Sequence, residues 1–495
     1  MSRYEYRIKG PRWAIIYGSN QGIEQFALEE LYRKVQAFLP YVLEVYPAAR
    51  LSPEIQQMNL ILLGTARDNP WIKEALKDKP IPIEPQGYLS GSLPSPWHPE
   101  RRTIILAGSD ANGVLYGVED FIARILCVGI APEKPNAANL RQAFDGMSDF
   151  WIQEHPRVAN RGIWTWGYVI YDYHRFLDNM ARLKMNMLTI WVDYPPDNIR
   201  DVIDYAHRRG IRLFLGFSWG WGMAFDIANA DDRNQIKAMV LADFKERYTG
   251  LDMDGIYFQT LTEHNQTEIN GQSVARLTCE MVNDVAQSLF ELKPGLQIHF
   301  GLHATSIRER YTDLSDLDKR VTIVWEDAGV LPYTYSPILQ RLPAADEPAF
   351  HLDTLAETLA YSKKLATFRP GTEFAIVPKG WSNLDWWTEF DHHETFILGV
   401  RDPGYIRGRC RQRQPYWDKI NASWLKNYPQ AVHFYREMLD CRPPKMTATG
   451  LIEDGIFEER IQLSIAIFGE TLWNPRREPE DILQLALSPY YREQG

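Results

Sequence analysis

From residue 162 to residue 377 the sequence alternates between short, apolar, β-prone runs and longer segments whose apolar residues recur at helical spacing. This alternation is typical of parallel strands joined by crossover helices, and eight such repeats can close into a barrel. The eighth strand is assigned to either 395–400 or 463–468. We therefore predict an α/β fold with a (β/α)8 TIM barrel, whose first seven strands are residues 162–166, 187–191, 212–216, 255–258, 297–301, 321–325 and 373–377.

The alternation also suggests where the domains begin and end. Residues 1–152 contain β-like runs and two helical patterns, which predicts a small N-terminal α/β domain; within it, the Pro-, Gly- and Ser-rich residues 80–101 are predicted to form a loop. Pro156 interrupts the pattern, so we assign residues 153–412 to the barrel. Residues 413–495 contain two further helical patterns and are predicted to form a C-terminal helical region that packs on the barrel.

Residues able to bind or react follow the C-terminal ends of nearly all predicted strands. In a barrel of parallel strands these ends open onto one face, which is where the catalytic residues of such barrels lie. Indole rings can stack on the flat apolar faces of sugars, and polar side chains can bind hydroxyl groups. The predicted substrate-binding residues are Trp164, Trp166, Trp191, Asp193, Trp219, Trp221, Gln259, His264, His303, Trp325, Lys379 and Trp381.

Carboxyl groups at the ends of two predicted strands are the candidate catalytic residues. Glu263 follows the fourth strand, where a protonated carboxyl group could donate a proton to a leaving group. Glu326 and Asp327 follow the sixth strand, and either could activate water or attack an anomeric carbon. Glycoside hydrolysis requires two such carboxyl groups facing one substrate. The sequence therefore predicts a glycosidase that acts on a carbohydrate substrate.

Composition excludes several other classes of protein. The net charge is −10 with no long basic run, which argues against nucleic acid or an anionic membrane as a partner. The four cysteines form no C-x-x-C pair, and the N-terminus lacks an apolar leader, so we expect a cytoplasmic protein. His264 and His303 match no metal-binding motif, and no phosphate- or dinucleotide-binding loop is present, so we expect neither metal nor cofactor. A homo-oligomer is compatible with the sequence.

Short motifs resemble two families of glycoside hydrolases. Residues 108–126 resemble the N-terminal domain of family 20 β-hexosaminidases and family 67 α-glucuronidases, residues 161–164 resemble the start of their barrels, and Trp473-Asn474-Pro475 resembles a late barrel motif. Asp254-Gly255 followed by Glu263 resembles the α-glucuronidase segment whose glutamate is the general acid. The resemblance implies that role for Glu263. Family 20 enzymes have an aspartate directly before this glutamate, whereas this chain has Thr262, which implies a relative with its own substrate.

Two alternatives of other classes remain open at this level. A barrel that has lost catalysis would bind carbohydrate at its tryptophan-rich mouth without turning it over. A sugar lyase or isomerase could instead use His303 and Lys379, and it would release its product without consuming water.

Overall fold

The computed structural model divides the chain into two compact units. The first comprises residues 1–156, 208–210 and 488–490, and the second comprises residues 157–207, 211–487 and 491–495. No helix within the described residues combines the length and apolar character that crossing a bilayer requires. The structure describes residues 11–77, 79–129, 137–220, 223–259, 262, 266–326, 328, 352, 354–381, 395–441, 445–454 and 456–492.

The first unit is built on a six-stranded mixed sheet. Its strands are β1 (Trp13–Tyr17), β2 (Glu44–Pro47), β3 (Asn59–Thr65), β4 (Tyr88–Pro94), β5 (Arg102–Gly108) and β6 (Trp151–Glu154). They follow the order β2-β1-β3-β5-β4-β6, in which the first four strands are parallel and β4 is antiparallel to both of its neighbours. Strand β4 lies in the stretch that we predicted to be a loop, because its Ser-Gly-Ser centre lacks the β-branched residues that indicate a strand.

The α-helices that accompany this sheet in the described part of the unit are α1 (Gly22–Gln36), α2 (Pro70–Leu76), α3 (Ala111–Asp120) and α4 (Ala137–Asp145). Helix α3 begins at Asp110, whose side chain accepts a hydrogen bond from the Gly113 amide. This cap satisfies one of the amides that a helix leaves free at its start. The helix continues into a π-helical segment, Phe121–Gly129.

The second unit contains a closed barrel of eight parallel strands, which confirms the predicted fold class. Strand β17 (Lys445–Ile452) closes it by pairing with both β7 (Asn160–Trp166) and β15 (Glu373–Ile376). A hairpin of β11 (Glu268–Ile269) and β12 (Gln272–Ser273) and a short strand, β16 (Lys379–Trp381), accompany the barrel. The barrel strands are β7 (Asn160–Trp166), β8 (Met187–Trp191), β9 (Arg212–Gly216), β10 (Gly255–Gln259), β13 (Gln297–Leu302), β14 (Val321–Trp325), β15 (Glu373–Ile376) and β17 (Lys445–Ile452).

The eighth strand, β17, is neither of the two segments that we proposed for it. Residues 395–400 form no strand, and residues 463–468 begin a helix. A short apolar run fits a buried helix as well as a buried strand, which explains the second error. Strand β17 also lies within residues 413–495, so the barrel strands extend beyond residue 412.

Eight α-helices lie within the described residues of the second unit. The longest of them, α10 (Pro403–Asp440), has 38 residues and contains Pro415 and Pro429. The helices are α5 (Tyr173–Arg182), α6 (Ile199–His207), α7 (Ala230–Asp243), α8 (Val274–Leu292), α9 (Leu355–Thr367), α10 (Pro403–Asp440), α11 (Leu463–Trp473) and α12 (Pro479–Ala486).

Side chains that point inward from the strands fill the barrel. One cluster consists of Trp164, Trp191, Tyr257, Val324, Ala375, Val377 and Leu451. Below it, His299 packs against Phe214, with 4.4 Å between ring centroids. Burial lowers the pKa of His299 to about 3, so its ring is neutral at physiological pH. In the part of the barrel that the structure describes, the interior is therefore a packed core and not a pore.

A buried ion pair joins helix α11 to the turn before β8. The ammonium group of Lys184 lies 2.8 Å from Glu470 Oε1, and the two side chains are only 1% and 2% exposed. The Tyr491 hydroxyl donates a hydrogen bond to the same oxygen, and Arg477 lies 3.3 Å from Oε2. Lys184 has a φ of 57°, a left-handed backbone that few residues other than glycine adopt.

Candidate active site

Glu326 lies at the C-terminal end of the barrel, one residue beyond β14, and is 5% exposed. Its Oε1 accepts hydrogen bonds from the Tyr257 hydroxyl and from the Gln259 side-chain amide, both on β10. Its Oε2 lies 3.2 Å from Nε2 of His303, which follows β13. Three side chains on two neighbouring strands thus fix the position of one carboxylate.

The surroundings of Glu326 favour its ionised form. Burial by itself would raise the pKa of this carboxyl group, but the charge and hydrogen bond of His303, the charge of Lys379 and the Tyr257 hydroxyl outweigh it. Together they lower the pKa of Glu326 to about 2. These contacts therefore favour the ionised form of Glu326 at physiological pH.

Gly301 on β13 makes room for this arrangement. A Cβ atom at this position would overlap Glu326 Oε1 and the Tyr257 hydroxyl oxygen, and it would lie 2.9 Å from Cγ of Gln259. Glycine is used where other groups must approach the backbone closely. The absence of a side chain at residue 301 is therefore part of the carboxylate site.

Aromatic side chains form the interior surface next to Glu326. The ring centroids of Trp164 and Trp191 are 6.3 Å apart in a stacked arrangement, and Trp166 lies 5.7 Å from Trp164. Tyr257, the hydrogen-bond donor to Glu326, lies 5.7 Å from Trp164. Trp166 is the most accessible of the three tryptophans, and it stands at the outer end of β7. The structure thus brings three of the predicted tryptophans together in one cluster with Tyr257, which hydrogen-bonds the carboxylate.

Three other predicted tryptophans pack elsewhere and are completely buried. Trp219 stacks on Phe258 with centroids 3.5 Å apart, and the Trp325 indole donates to Ser362 of α9 over 3.0 Å. Trp381 stacks on Trp424 of α10, with centroids 4.6 Å apart. Successive side chains of a strand point to opposite faces, so Trp325 faces the helices because its neighbour Glu326 faces the interior.

Two other predicted site residues, Lys379 and Asp193, also lie beyond the C-terminal ends of barrel strands. Lys379 and Asp193 are partly buried after the ends of β15 and β8, and Lys379 acts electrostatically on Glu326. Thr262 is fully buried, and its hydroxyl accepts a hydrogen bond from the His303 amide, 3.1 Å away. Four predicted site residues lie outside the described residues: Trp221, Glu263, His264 and Asp327.

Sequence reasoning missed Glu453, a second carboxyl group at the same end of the barrel. It follows β17, is 1% exposed, and has the same strand parity as Leu451, a member of the interior cluster. The next residue, Asp454, has a φ of 81° and is held by Arg413 at 2.8 Å and Arg409 at 3.7 Å. The sequence contains a pattern that could have indicated Glu453, because β14 and β17 are both followed directly by Glu-Asp.

Glu326 and Glu453 lie two strands apart in the barrel. Neighbouring strands are about 4.8 Å apart, so the backbones of β14 and β17 are separated by roughly 10 Å across β15. Side chains that point inward from such positions converge toward the barrel axis. The described residues contain no group of three or more His, Cys, Asp or Glu side chains that could hold a metal ion.

Comparisons with known proteins agree with the fold. No protein-family profile matches the sequence, and no curated protein sequence matches it. A GH138 enzyme targeting pectin rhamnogalacturonan II aligns over 95% of this chain, with a TM-score of 0.51 and 11% identity. This chain spans about half of that enzyme, 51% of its length. A β-N-acetylhexosaminidase from Bacteroides fragilis aligns over 99% of this chain and 88% of its own, with a TM-score of 0.44 and 12% identity.

The fold found here is therefore similar to that of the GH138 enzyme. At 11% identity the likeness to the GH138 enzyme concerns the fold, and the chemistry must be inferred from the side chains at the barrel mouth.

Proposed function

We propose that this protein is a glycoside hydrolase that cleaves an O-glycosidic bond with two carboxyl groups. The observation that supports this most is the buried, ionised Glu326 at the barrel mouth, held by Tyr257, Gln259 and His303 beside a tryptophan surface. Glycosidases need one carboxylate that stays ionised under the sugar while another group protonates the leaving oxygen.

In this mechanism Glu326 acts on the anomeric carbon, directly as nucleophile or through a water molecule as base. Its low pKa suits both roles, because both require the ionised form. Asp327, adjacent in sequence, is the alternative for this role. Glu263 is the proposed general acid, as the resemblance to α-glucuronidases implies, and Glu453 is a further candidate for it on the basis of its burial and its position after β17.

The substrate-binding part of the proposal rests on the aromatic surface. Trp166, the partly buried tryptophan at the outer end of β7, offers an aromatic surface that suits the apolar face of a pyranose ring, and the buried Trp164 and Trp191 pack against it. Lys379, whose charge acts on Glu326, and Asp193 are polar groups for the sugar hydroxyls. The carbohydrate is thereby held with its anomeric carbon near an anion, which stabilises the positive charge that develops there.

The experiment that tests this proposal is incubation of the protein with aryl α- and β-glycosides, glycuronides and a natural oligosaccharide pool in water enriched in oxygen-18. Hydrolysis forms a bond between the anomeric carbon and a water oxygen as the glycosidic C–O bond breaks, so the released sugar should carry one heavy oxygen at the anomeric position. Because this hydroxyl also exchanges slowly, the isotope is measured at early times against a free-sugar control.

Two outcomes would contradict the proposal. An unsaturated or isomerised product without the heavy oxygen would identify a lyase or isomerase. Saturable binding of oligosaccharides without turnover of any of them would identify a carbohydrate-binding barrel. The anomer formed first, followed by proton NMR, distinguishes retention from inversion.

Replacing Gly301 by alanine should lower turnover about 100-fold or more, because the new methyl group displaces Glu326 or Tyr257, and small misplacements of reacting groups have effects of this size. Overpacking should also lower the free energy of unfolding by about 1–3 kcal/mol. Gly408→Ala in helix α10 is the matched control, because a Cβ there meets no atom within 4 Å. Turnover and thermal unfolding are measured for both variants, and equal turnover of Gly301→Ala and wild type would show that this close approach is not needed for the reaction.

A further inference from the structure

The first unit contains a cavity of about 310 Å³ at the carboxyl edge of its parallel strands. Its walls come from the first turn of α1, from the segments that follow β3 and β5, and from Ile81 and Pro82. Strands β1 and β3 are neighbours in the sheet. After β1 the chain continues to β2 on one side of this pair, and after β3 it continues to the other side, where β5 lies. In open α/β sheets, ligands bind outside the carboxyl ends of strands at such a reversal of strand order.

Glu24 in the first turn of α1 is the feature of this cavity that points to a ligand. Its side chain lines the cavity, although the residue is only 8% exposed. Among the described residues no group donates a hydrogen bond to its Oε1. Buried carboxyl oxygens are normally paired, because an unpaired one loses its hydration without compensation.

The other two acidic side chains of the cavity are already engaged. Asp68 accepts a hydrogen bond from the Thr65 hydroxyl over 2.7 Å and pairs with Arg67 at 3.1 Å. Asp110 accepts hydrogen bonds from the backbone amides of Gln86 and Gly113, both 2.8 Å away. Glu24 is therefore the acidic residue of this cavity whose carboxyl group keeps a buried oxygen without a hydrogen-bond donor among the described residues.

The charge of the lining indicates what kind of ligand would bind. Three carboxyl groups face the cavity, and Arg67 is the only basic residue among the described lining residues. The pKa of Glu24 is raised, because the effect of burial is larger than that of a hydrogen bond from Ser19, which lowers it. A cationic donor beside this carboxyl group would stabilise its ionised form. The described residues offer no metal-binding cluster, whereas Ile81 and Pro82 provide an apolar wall for a carbon skeleton.

We propose that this cavity binds a small organic cation, a primary ammonium compound whose NH3+ group pairs with the carboxyl group of Glu24 and whose carbon skeleton lies against Ile81 and Pro82. Three donors on one ammonium group match an oxygen acceptor in a site of net negative charge. The site lies in the first unit and does not depend on the hydrolase activity proposed for the barrel.

Isothermal titration calorimetry at pH 7.5 with matched probes tests this proposal. The cationic probes are n-butylamine and D-glucosamine, and their neutral counterparts are n-butanol and D-glucose. Glucosamine and glucose could also bind at the barrel mouth, so the butyl pair carries the conclusion about Glu24. We expect butylamine to bind saturably and butanol not to bind, and we expect Glu24→Gln to weaken binding of the amine about 30-fold or more, the loss typical of a removed buried charge partner.

Glu29→Gln provides the matched control, because Glu29 is an exposed glutamate on the same helix. Its affinity for butylamine should equal that of the wild type. If Glu24→Gln does not fold, Glu24→Asp keeps the charge but withdraws the carboxylate, and it should also weaken binding. The proposal is wrong if butylamine shows no saturable binding below about 10 mM, if butanol binds equally well, or if the Glu24 variants keep wild-type affinity.

Discussion

Replacing Glu326 by glutamine should lower kcat by about 1,000-fold or more and leave KM nearly unchanged. Glutamine has the same size as glutamate, but it can neither attack an anomeric carbon nor take a proton from water, and acid–base or nucleophilic groups contribute factors of about 10²–10⁴ or more. Activated aryl leaving groups should not restore the rate, because Glu326 acts on the sugar and not on the leaving oxygen. The measurement is kcat and KM on the best substrate and on a nitrophenyl glycoside.

Glu373→Gln is the control for this prediction. Glu373 lies on barrel strand β15 at the opposite end, 26% exposed and 3.0 Å from Lys445, so its removal should change kcat by less than about twofold. The roles of the two proposed carboxyl groups can also be separated, because Glu263→Gln should lose natural substrates but keep part of its activity on activated leaving groups. Wild-type turnover in Glu326→Gln would exclude Glu326 from the mechanism.

Replacing Lys184 by methionine should lower the free energy of unfolding at pH 7 by about 3–5 kcal/mol, because it leaves the Glu470 carboxylate buried with fewer counter-charges. Burial would raise the pKa of Glu470, but Lys184 and Arg477 lower it to about 2. In the unfolded chain the group titrates near 4.5. The stabilisation is therefore complete above about pH 4.5 and is lost as the pH falls toward 2.

Chemical denaturation of wild type and Lys184→Met between pH 2.5 and 7 measures this difference, which should shrink as the pH decreases. Lys237→Met is the control, because Lys237 forms an ion pair of similar length, 2.6 Å, with Asp284 at the surface. Exposed pairs contribute about 0–1 kcal/mol, so the control should unfold almost as the wild type does. A loss in Lys184→Met no greater than that of the control would show that the buried pair contributes little net stability.

Periodicity in the sequence was sufficient to predict the barrel, because seven of its strands are apolar runs separated by helical patterns. The eighth strand was not predicted, and the reason is physical. Strand β17 contains Thr447, Ala448, Thr449 and Gly450 in place of large β-branched residues, and a Cβ at Gly450 would lie 2.8–2.9 Å from Phe468 and Trp381. Tertiary packing requires small residues there, and small residues weaken the local signal for a strand.

The site was predictable in part. The positions of Glu326, His303 and Gln259 at predicted strand ends indicated them as site residues, and the structure brings them together. The number of tryptophans at strand ends could not show which of them face the barrel interior and which face the helices. Strand parity makes that distinction once the strand bounds are known, as Trp325 and Glu326 illustrate. Glu453 was missed because it depends on β17. The roles of Glu263 and Asp327 remain predictions.

The order in which the strands occur along the chain affects how the protein can fold during synthesis. The Thr165 hydroxyl donates to the Ile452 carbonyl across 287 residues, so the first and last barrel strands meet only after residue 452 has left the ribosome. Until then β7 and β15 have open edges, and open strand edges pair readily with other chains. Closure of such a distant contact is slow, so nascent or truncated chains that end before residue 445 should aggregate and bind chaperones.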